Sequence, residues 1–178
     1  PDFFRAQQHR DFIRRPTDDL HGKTLGIIGF GGNGQRIAEV LHPLGNRILA
    51  TDLLVDEWRV AGDLPTVAAL WPADRILDLL QASDVVILTL PLNPDTQAVI
   101  GSPQLEAMPS GSYLINVGRG RLVDEEALVA ALQSGHLQGA GLDVTWTEPL
   151  PAESGLWSAD GALITPHVGA QSASRYQL

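Results

Sequence analysis

Short apolar runs alternate along this chain with segments whose apolar residues recur every three to four positions. Lys23 to Ile28 (KTLGII) is a strand candidate. Glycines follow it, and then Ile37, Ala38, Val40 and Leu41 recur at helical spacing. Asn46 to Thr51 (NRILAT) predicts a second strand that ends at Asp52. The next stretch has no legible pattern until Asp74 to Gln81 (DRILDLLQ), which predicts a helix. Asp84 to Leu90 (DVVILTL) is an almost continuous apolar run, the pattern of a strand covered on both faces, and Pro91 ends it. Tyr113 to Val117 is another such strand, Asp124 to Gln133 (DEEALVAALQ) a helix, Leu142 to Val144 a strand end, and Ala162 to Thr165 the last strand. Strands that alternate with helices imply right-handed crossovers and a parallel sheet. The fold class is therefore α/β, a doubly wound parallel sheet with helices on both faces. Residues 1–19 are polar and rich in arginine, and read as a connector or surface helix. That leaves 20–178 as the domain proper.

Composition narrows the functional classes. A length of 178 residues suits one well-cored domain, and 19% charged with 44% hydrophobic residues describes a globular chain. The net charge of −9 argues against a nucleic-acid partner and against an anionic membrane surface. No apolar run approaches the roughly 20 residues of a membrane span. The chain has no cysteine, so disulfides and thiolate chemistry are excluded, and a cytoplasmic location fits. It starts at Pro1 and its single methionine is Met108, so an upstream segment is expected.

The chemistry begins at Gly29-Phe30-Gly31-Gly32-Asn33-Gly34, which fits G-x-G-x-x-G. Alone that pattern is weak. Here it leaves a predicted strand, opens a predicted helix, and is followed by Asp52 at the end of the next strand, the context a Rossmann dinucleotide site requires. Gly29 permits the tight turn, Gly31 lets the backbone approach a pyrophosphate, and Gly34 lets helix and strand pack closely. The helix N-terminus offers free N–H groups to the phosphates. Asp52 would accept from the adenosine ribose hydroxyls and repel a 2′-phosphate, which favours NAD over NADP.

From Leu20 to about Ser174 the chain resembles the D-isomer-specific 2-hydroxyacid dehydrogenase family. The likeness is carried by LHGKTLGIIGFGGNG (20–34), SDVVILTLPLNPDT (83–96), LINVGRGRLVDEEALVAAL (114–132), GAGLDVTWTEPLP (139–151) and ITPHVG (164–169). The resemblance implies an NAD-dependent oxidoreductase acting on a 2-hydroxy or 2-keto acid, with an arginine, a glutamate and a histidine as catalytic residues. By motif position these are Arg119, Glu148 and His167. Their types suit the reaction. Histidine exchanges a proton near neutrality, a carboxylate on its other nitrogen fixes the tautomer, and arginine presents a planar fork to a substrate carboxylate. All three follow predicted strands, on the edge where open α/β sheets bind ligands. His9, His21, His42 and His136 lack that setting.

The resemblance further implies that Asp143 binds the nicotinamide carboxamide and that Pro91, Val117 and Gly118 line the cofactor. The full cofactor-contact set is Gly29, Gly31, Gly32, Asn33, Gly34, Asp52, Pro91, Val117, Gly118, Arg119, Asp143, His167 and Gly169; no metal site is read. Three positions depart from the usual pattern: Thr89 where many members carry histidine, Asn33 where isoleucine or valine is common, and Trp146 between Asp143 and Glu148. Glu148 stands where the formate enzymes of this group have glutamine, which disfavours formate. A phosphite dehydrogenase relative and an NAD-sensing, corepressor-like module are the alternative readings. In this family the cofactor domain is inserted within a substrate domain, so much of the substrate wall is expected outside this chain. The resemblance also implies a homodimer, and apolar side chains from Ala98 to Leu105 read as unburied by the local pattern.

Overall fold

The computed structural model describes residues 2–14, 17–55, 59–60 and 64–171. Helix α1 (Asp2–Gln8) is the first element. Then follow β1 (Thr24–Ile28), α2 (Gly32–Leu41), β2 (Arg47–Asp52), β3 (Arg59–Val60), β4 (Ala69–Pro72), α3 (Ile76–Gln81) and β5 (Val85–Leu88). The second half continues with α4 (Ser102–Ala107), β6 (Ser112–Asn116), α5 (Glu125–Gln133), β7 (Leu137–Leu142) and β8 (Ala162–Ile164). The strands form one sheet in the order β3-β4-β2-β1-β5-β6-β7-β8. Among the described residues only the edge strand β3 runs antiparallel to its neighbour; the other pairs are parallel. This is the Rossmann-type sheet predicted.

Register decides which side chains meet which helix. Ile27 lies beside Ala50 of β2 and Ile87 of β5. On that face Ile27, Ile48 and Ala50 pack against Ala38 of α2. The opposite face carries Leu49, Val86, Leu88, Leu114, Ala140 and Leu142, covered by Leu79 and Leu80 of α3, Leu105 of α4, and Leu128 and Leu132 of α5. Each such side chain, fully buried, contributes about 1.5–3 kcal/mol. The α2 side is covered less completely. Beyond β1 it presents Val85, Tyr113 and Ile115 half-buried, and Leu163 of β8 is 62% exposed.

Several boundaries differ from the sequence expectation for identifiable reasons. The segment 98–105 does not leave its apolar residues free: Ile100, bridged to Val123, and Leu105 of α4 lie in the core, 0% and 1% exposed. That removes the sequence-based ground for a contact there. The run ending at Leu90 stops being strand at Leu88, because Thr89 and Leu90 turn to meet the glycine loop. The Thr89 hydroxyl donates to the Gly29 carbonyl. Strand β7 begins five residues before Leu142, hidden in the sequence by its glycines. Those glycines admit larger neighbours: a Cβ on Gly139 would lie 3.3 Å from the Tyr113 ring, and one on Gly141 would lie 3.0 Å from Ile115.

Candidate active site

Strand β1 is central, with β2 on one side and β5 on the other, and the chain leaves β1 toward β2 and β5 toward β6, in opposite directions along the sheet. Between such diverging strands the carboxyl ends leave a crevice. Gly29 forms its near wall in a left-handed conformation (φ +93°), and a Cβ there would stand 2.7 Å from Leu90 N. Only glycine fits both demands. A methyl on Gly34 would overlap the Gly29 carbonyl, which is how the helix comes so close to the strand. Over Gly31 and Gly32, in contrast, a Cβ would meet nothing within 4 Å. The space above the first turn of α2 is open, and that turn has no acidic residue to neutralise the helix end. Asn33 is exposed on it. An open cradle over free N–H groups fits a pyrophosphate.

Asp52, at the end of β2, does more than the sequence indicated. Its Oδ2 accepts from Phe30 N–H at 2.6 Å and its Oδ1 from Leu54 N–H at 2.9 Å. The carboxylate thus organises the glycine loop while keeping lone pairs for ribose hydroxyls, since it offers about four acceptor positions.

Across the crevice, the segment after β6 carries Val117, Gly118 and Arg119. Buried Asn116 shapes it: its Oδ1 accepts from Gly118 N–H (3.1 Å) and its Nδ2–H donates to Arg119 O (2.9 Å). Sequence reasoning missed this residue, although an asparagine closing an apolar strand is itself a signal. Arg119 is exposed, with Nη1–H donating to Gly118 O at 2.7 Å. Val117 is also exposed, and Pro91 lies at the surface after β5 with its carbonyl accepting from the Thr96 hydroxyl (2.8 Å).

The segments after β7 and β8 bring Glu148 and His167 together. His167 Nδ1 lies 2.8 Å from Glu148 Oε2. A carboxylate only accepts, so Nδ1 carries the proton and Nε2 faces away from the pair. The second oxygen, Oε1, accepts from Thr145 N–H at 3.2 Å. His167 itself adopts φ +54°, a left-handed conformation rare for a residue with a side chain. Its N–H donates to Asp143 O at 2.8 Å.

Asp143 fixes that conformation. Its Oδ1 accepts from the Thr165 hydroxyl (2.6 Å) and Val168 N–H (2.9 Å), and its Oδ2 from Gly169 N–H (2.8 Å). Burial pushes this carboxyl up, but the hydrogen bonds from Thr165, Gly169 and Val168, with the charge of His167, outweigh it and hold the pKa below the ordinary value. The side chain assigned to the cofactor by resemblance therefore braces the histidine turn, with one acceptor position left. Thr165 and Thr145 are further supports that the sequence alone did not mark.

Residues 2–169 match the profile of the D-isomer specific 2-hydroxyacid dehydrogenase NAD binding domain. A glycerate dehydrogenase from Methylorubrum extorquens is 40% identical over 168 residues, covering 92% of this chain and 48% of that protein. The chain thus spans about half the length of the curated relatives it matches. A phosphoglycerate dehydrogenase from Lactobacillus plantarum superposes with a TM-score of 0.86 at 31% identity, over 96% of this chain and 54% of that one. A D-isomer specific 2-hydroxyacid dehydrogenase from Xanthobacter autotrophicus, crystallised with NADPH and MES, does so with 0.82 at 33% identity, over 94% and 51%. Glycine loop, strand-end acid and histidine turn stand together on a fold shared with these proteins, and the chain belongs to the D-isomer specific 2-hydroxyacid dehydrogenase family as its NAD-binding domain.

Proposed function

We propose that this domain serves an enzyme that reduces a short 2-keto acid, and in reverse oxidises the 2-hydroxy acid, with NAD as cofactor. The observation that carries the reading is the Glu148–His167 pair at 2.8 Å on the ligand-binding edge of the sheet. The cradle over Gly31, Gly32, Asn33 and Gly34 would hold the pyrophosphate and Asp52 the adenosine ribose, with Pro91, Val117 and Gly118 lining the crevice. Bound NADH would supply the hydride. Arg119 holds the substrate carboxylate, which orients the carbonyl carbon. His167 Nε2 gives its proton to the carbonyl oxygen in reduction and takes it back in oxidation. Glu148 keeps the other ring nitrogen protonated and stabilises the ring when it is charged.

The glycerate and phosphoglycerate dehydrogenases among the relatives support a small hydroxy acid as substrate and support an enzyme over a cofactor-sensing module. Asp52 supports NAD over NADP by repelling a 2′-phosphate, a preference the family does not impose, given the relative crystallised with NADPH. Residues 20–178 form the NAD-binding domain in this reading, with 1–19 as a connector. The whole protein is a cytoplasmic homodimer by family resemblance, and sedimentation at micromolar concentration tests the dimer: a monomer would refute it. No helix of the described residues is long and apolar enough to cross a membrane.

Turnover by the full-length protein with NADH and a panel of 2-keto acids tests the reaction. His167→Ala should remove about 10²–10⁴ of kcat. Arg119→Ala should mainly raise KM. Near-normal turnover by His167→Ala would overturn the assignment.

A further inference from the structure

Trp146 stands two residues before Glu148, and Arg121 two residues after Arg119. The segments that carry them are pressed together. Gly120 has no room for a side chain, because a Cβ there would overlap the Thr145 carbonyl and lie 2.7 Å from Trp146 N. From this point of contact the Arg121 side chain reaches across. Its Nε–H donates to Trp146 O at 3.5 Å, and its guanidinium carbon lies 5.9 Å from the centroid of the Trp146 ring. On the far side of Trp146, the Thr145 hydroxyl donates to Thr147 O at 2.9 Å, and Thr145 N–H donates to Glu148. Glu148 in turn holds His167.

An unbroken series of contacts therefore runs from the Arg119 turn, through Arg121 and Trp146, to the carboxylate that orients the imidazole. An arginine suits the first step because its planar fork stacks on an aromatic ring and donates from its edge at once, which an ammonium cannot do. We propose that Arg121 and Trp146 are positioning residues that lock the loop bearing Glu148 onto the turn bearing Arg119. The pair sets how far the imidazole stands from the cation that holds the substrate carboxylate. This assignment rests on the reading of Arg119, Glu148 and His167 given above. Neither residue touches substrate; both act through Glu148.

The test uses the full-length protein and two measurements. One is the ¹⁵N resonance of His167 Nδ1 at fixed pH, which needs no turnover. The other is steady-state reduction of 2-keto acids by NADH. Arg121→Ala and Trp146→Ala should each move the resonance and lower kcat by about fivefold, with NADH affinity unchanged to within about twofold. Trp146→Phe retains a ring face and the main-chain carbonyl, and should restore both readouts. Arg121→Ala removes both contacts and Trp146→Ala only the ring contact, because the main-chain carbonyl stays, so the double alanine variant should be no worse than Arg121→Ala alone. If the resonance moves as expected but unmodified protein reduces no 2-keto acid, the proposed reaction fails and the positioning role stands. An unmoved resonance in both alanine variants overturns the positioning role, as do kcat losses that multiply to about 25-fold in the double variant.

Discussion

Asp143→Asn changes one atom at the brace beneath His167, and the structure sets the size of its effect. The carboxylate meets three donors: Thr165 Oγ1 and Val168 N–H on one oxygen, Gly169 N–H on the other. An amide can place its oxygen at the first position, but its NH2 group then confronts Gly169 N–H, donor against donor. An unsatisfied donor costs about 1–3 kcal/mol when buried; this site is half-exposed, so a value near the low end, about 1.4 kcal/mol, is appropriate. That corresponds to a roughly tenfold rise in local opening. Amide hydrogen exchange reads it directly. The amides of Val168 and Gly169 should lose about tenfold in protection, while those of Ile27 and Val86 in the sheet centre keep theirs. The left-handed backbone at His167 adds to the drive, since that conformation costs on the order of 1–2 kcal/mol once nothing holds it. The same amides should respond to acid in the unmodified chain. The Asp143 pKa is depressed by folding, so its contribution is fully present above the unfolded carboxylate value of about 3.9 and is lost as pH falls through the lower folded value. Unchanged protection at Val168 and Gly169 in Asp143→Asn, or equal loss throughout the sheet, would refute the brace.

Substitutions at three further positions probe the rest of the crevice. Asp52→Asn leaves an oxygen for Phe30 N–H and should narrow the NADH-over-NADPH preference with little loss of thermal stability; Asp52→Ala should lower Tm as well, and calorimetry of binding and unfolding separates the two. Equal affinity for both cofactors in the unmodified protein would reject the role given to Asp52. Gly34→Ala forces a methyl onto the Gly29 carbonyl and should destabilise the fold by about 2 kcal/mol, a Tm decrease of about 4–8 °C by scanning calorimetry. Asn116→Ala leaves Gly118 N–H without its partner at a buried site, while Arg119 O keeps Leu122 N–H, and should cost about 1–3 kcal/mol in chemical denaturation while raising the keto-acid KM.

The parts of the fold that were legible are those whose side chains meet the core from a regular pattern. Strand β5 shows as a continuous apolar run and helix α5 by its helical period, and the glycine loop gives itself away because so few residues tolerate its backbone. Strand β4 was not legible: four residues ending in Pro72 carry no period. The segment 98–105 was misread because Ile100 reaches the core from a lone bridge to Val123 and Leu105 from a six-residue helix, both too short for their spacing to register. At the site, Glu148 and His167 were recognisable by motif and the structure brings them together, whereas the second role of Asp52 and the brace by Asp143 were not. Each depends on main-chain N–H groups far away in sequence, which no local pattern records.

The strand order has a consequence for how the chain can assemble. After β1 is in place, β2 adds to one of its edges, and β4, with β3 outside it, adds to β2. The chain then crosses to the other edge of β1, where β5 joins β1 and β6, β7 and β8 follow, each against the strand just laid down. No strand has to insert between two that are already paired. A chain emerging from the ribosome N-terminus first can therefore grow this sheet by addition at free edges alone. The glycine loop and Asp52 are complete within the first strands, while Glu148 and His167 arrive with the last loops. Premature termination would thus remove the Glu148–His167 pair well before it touched the glycine loop.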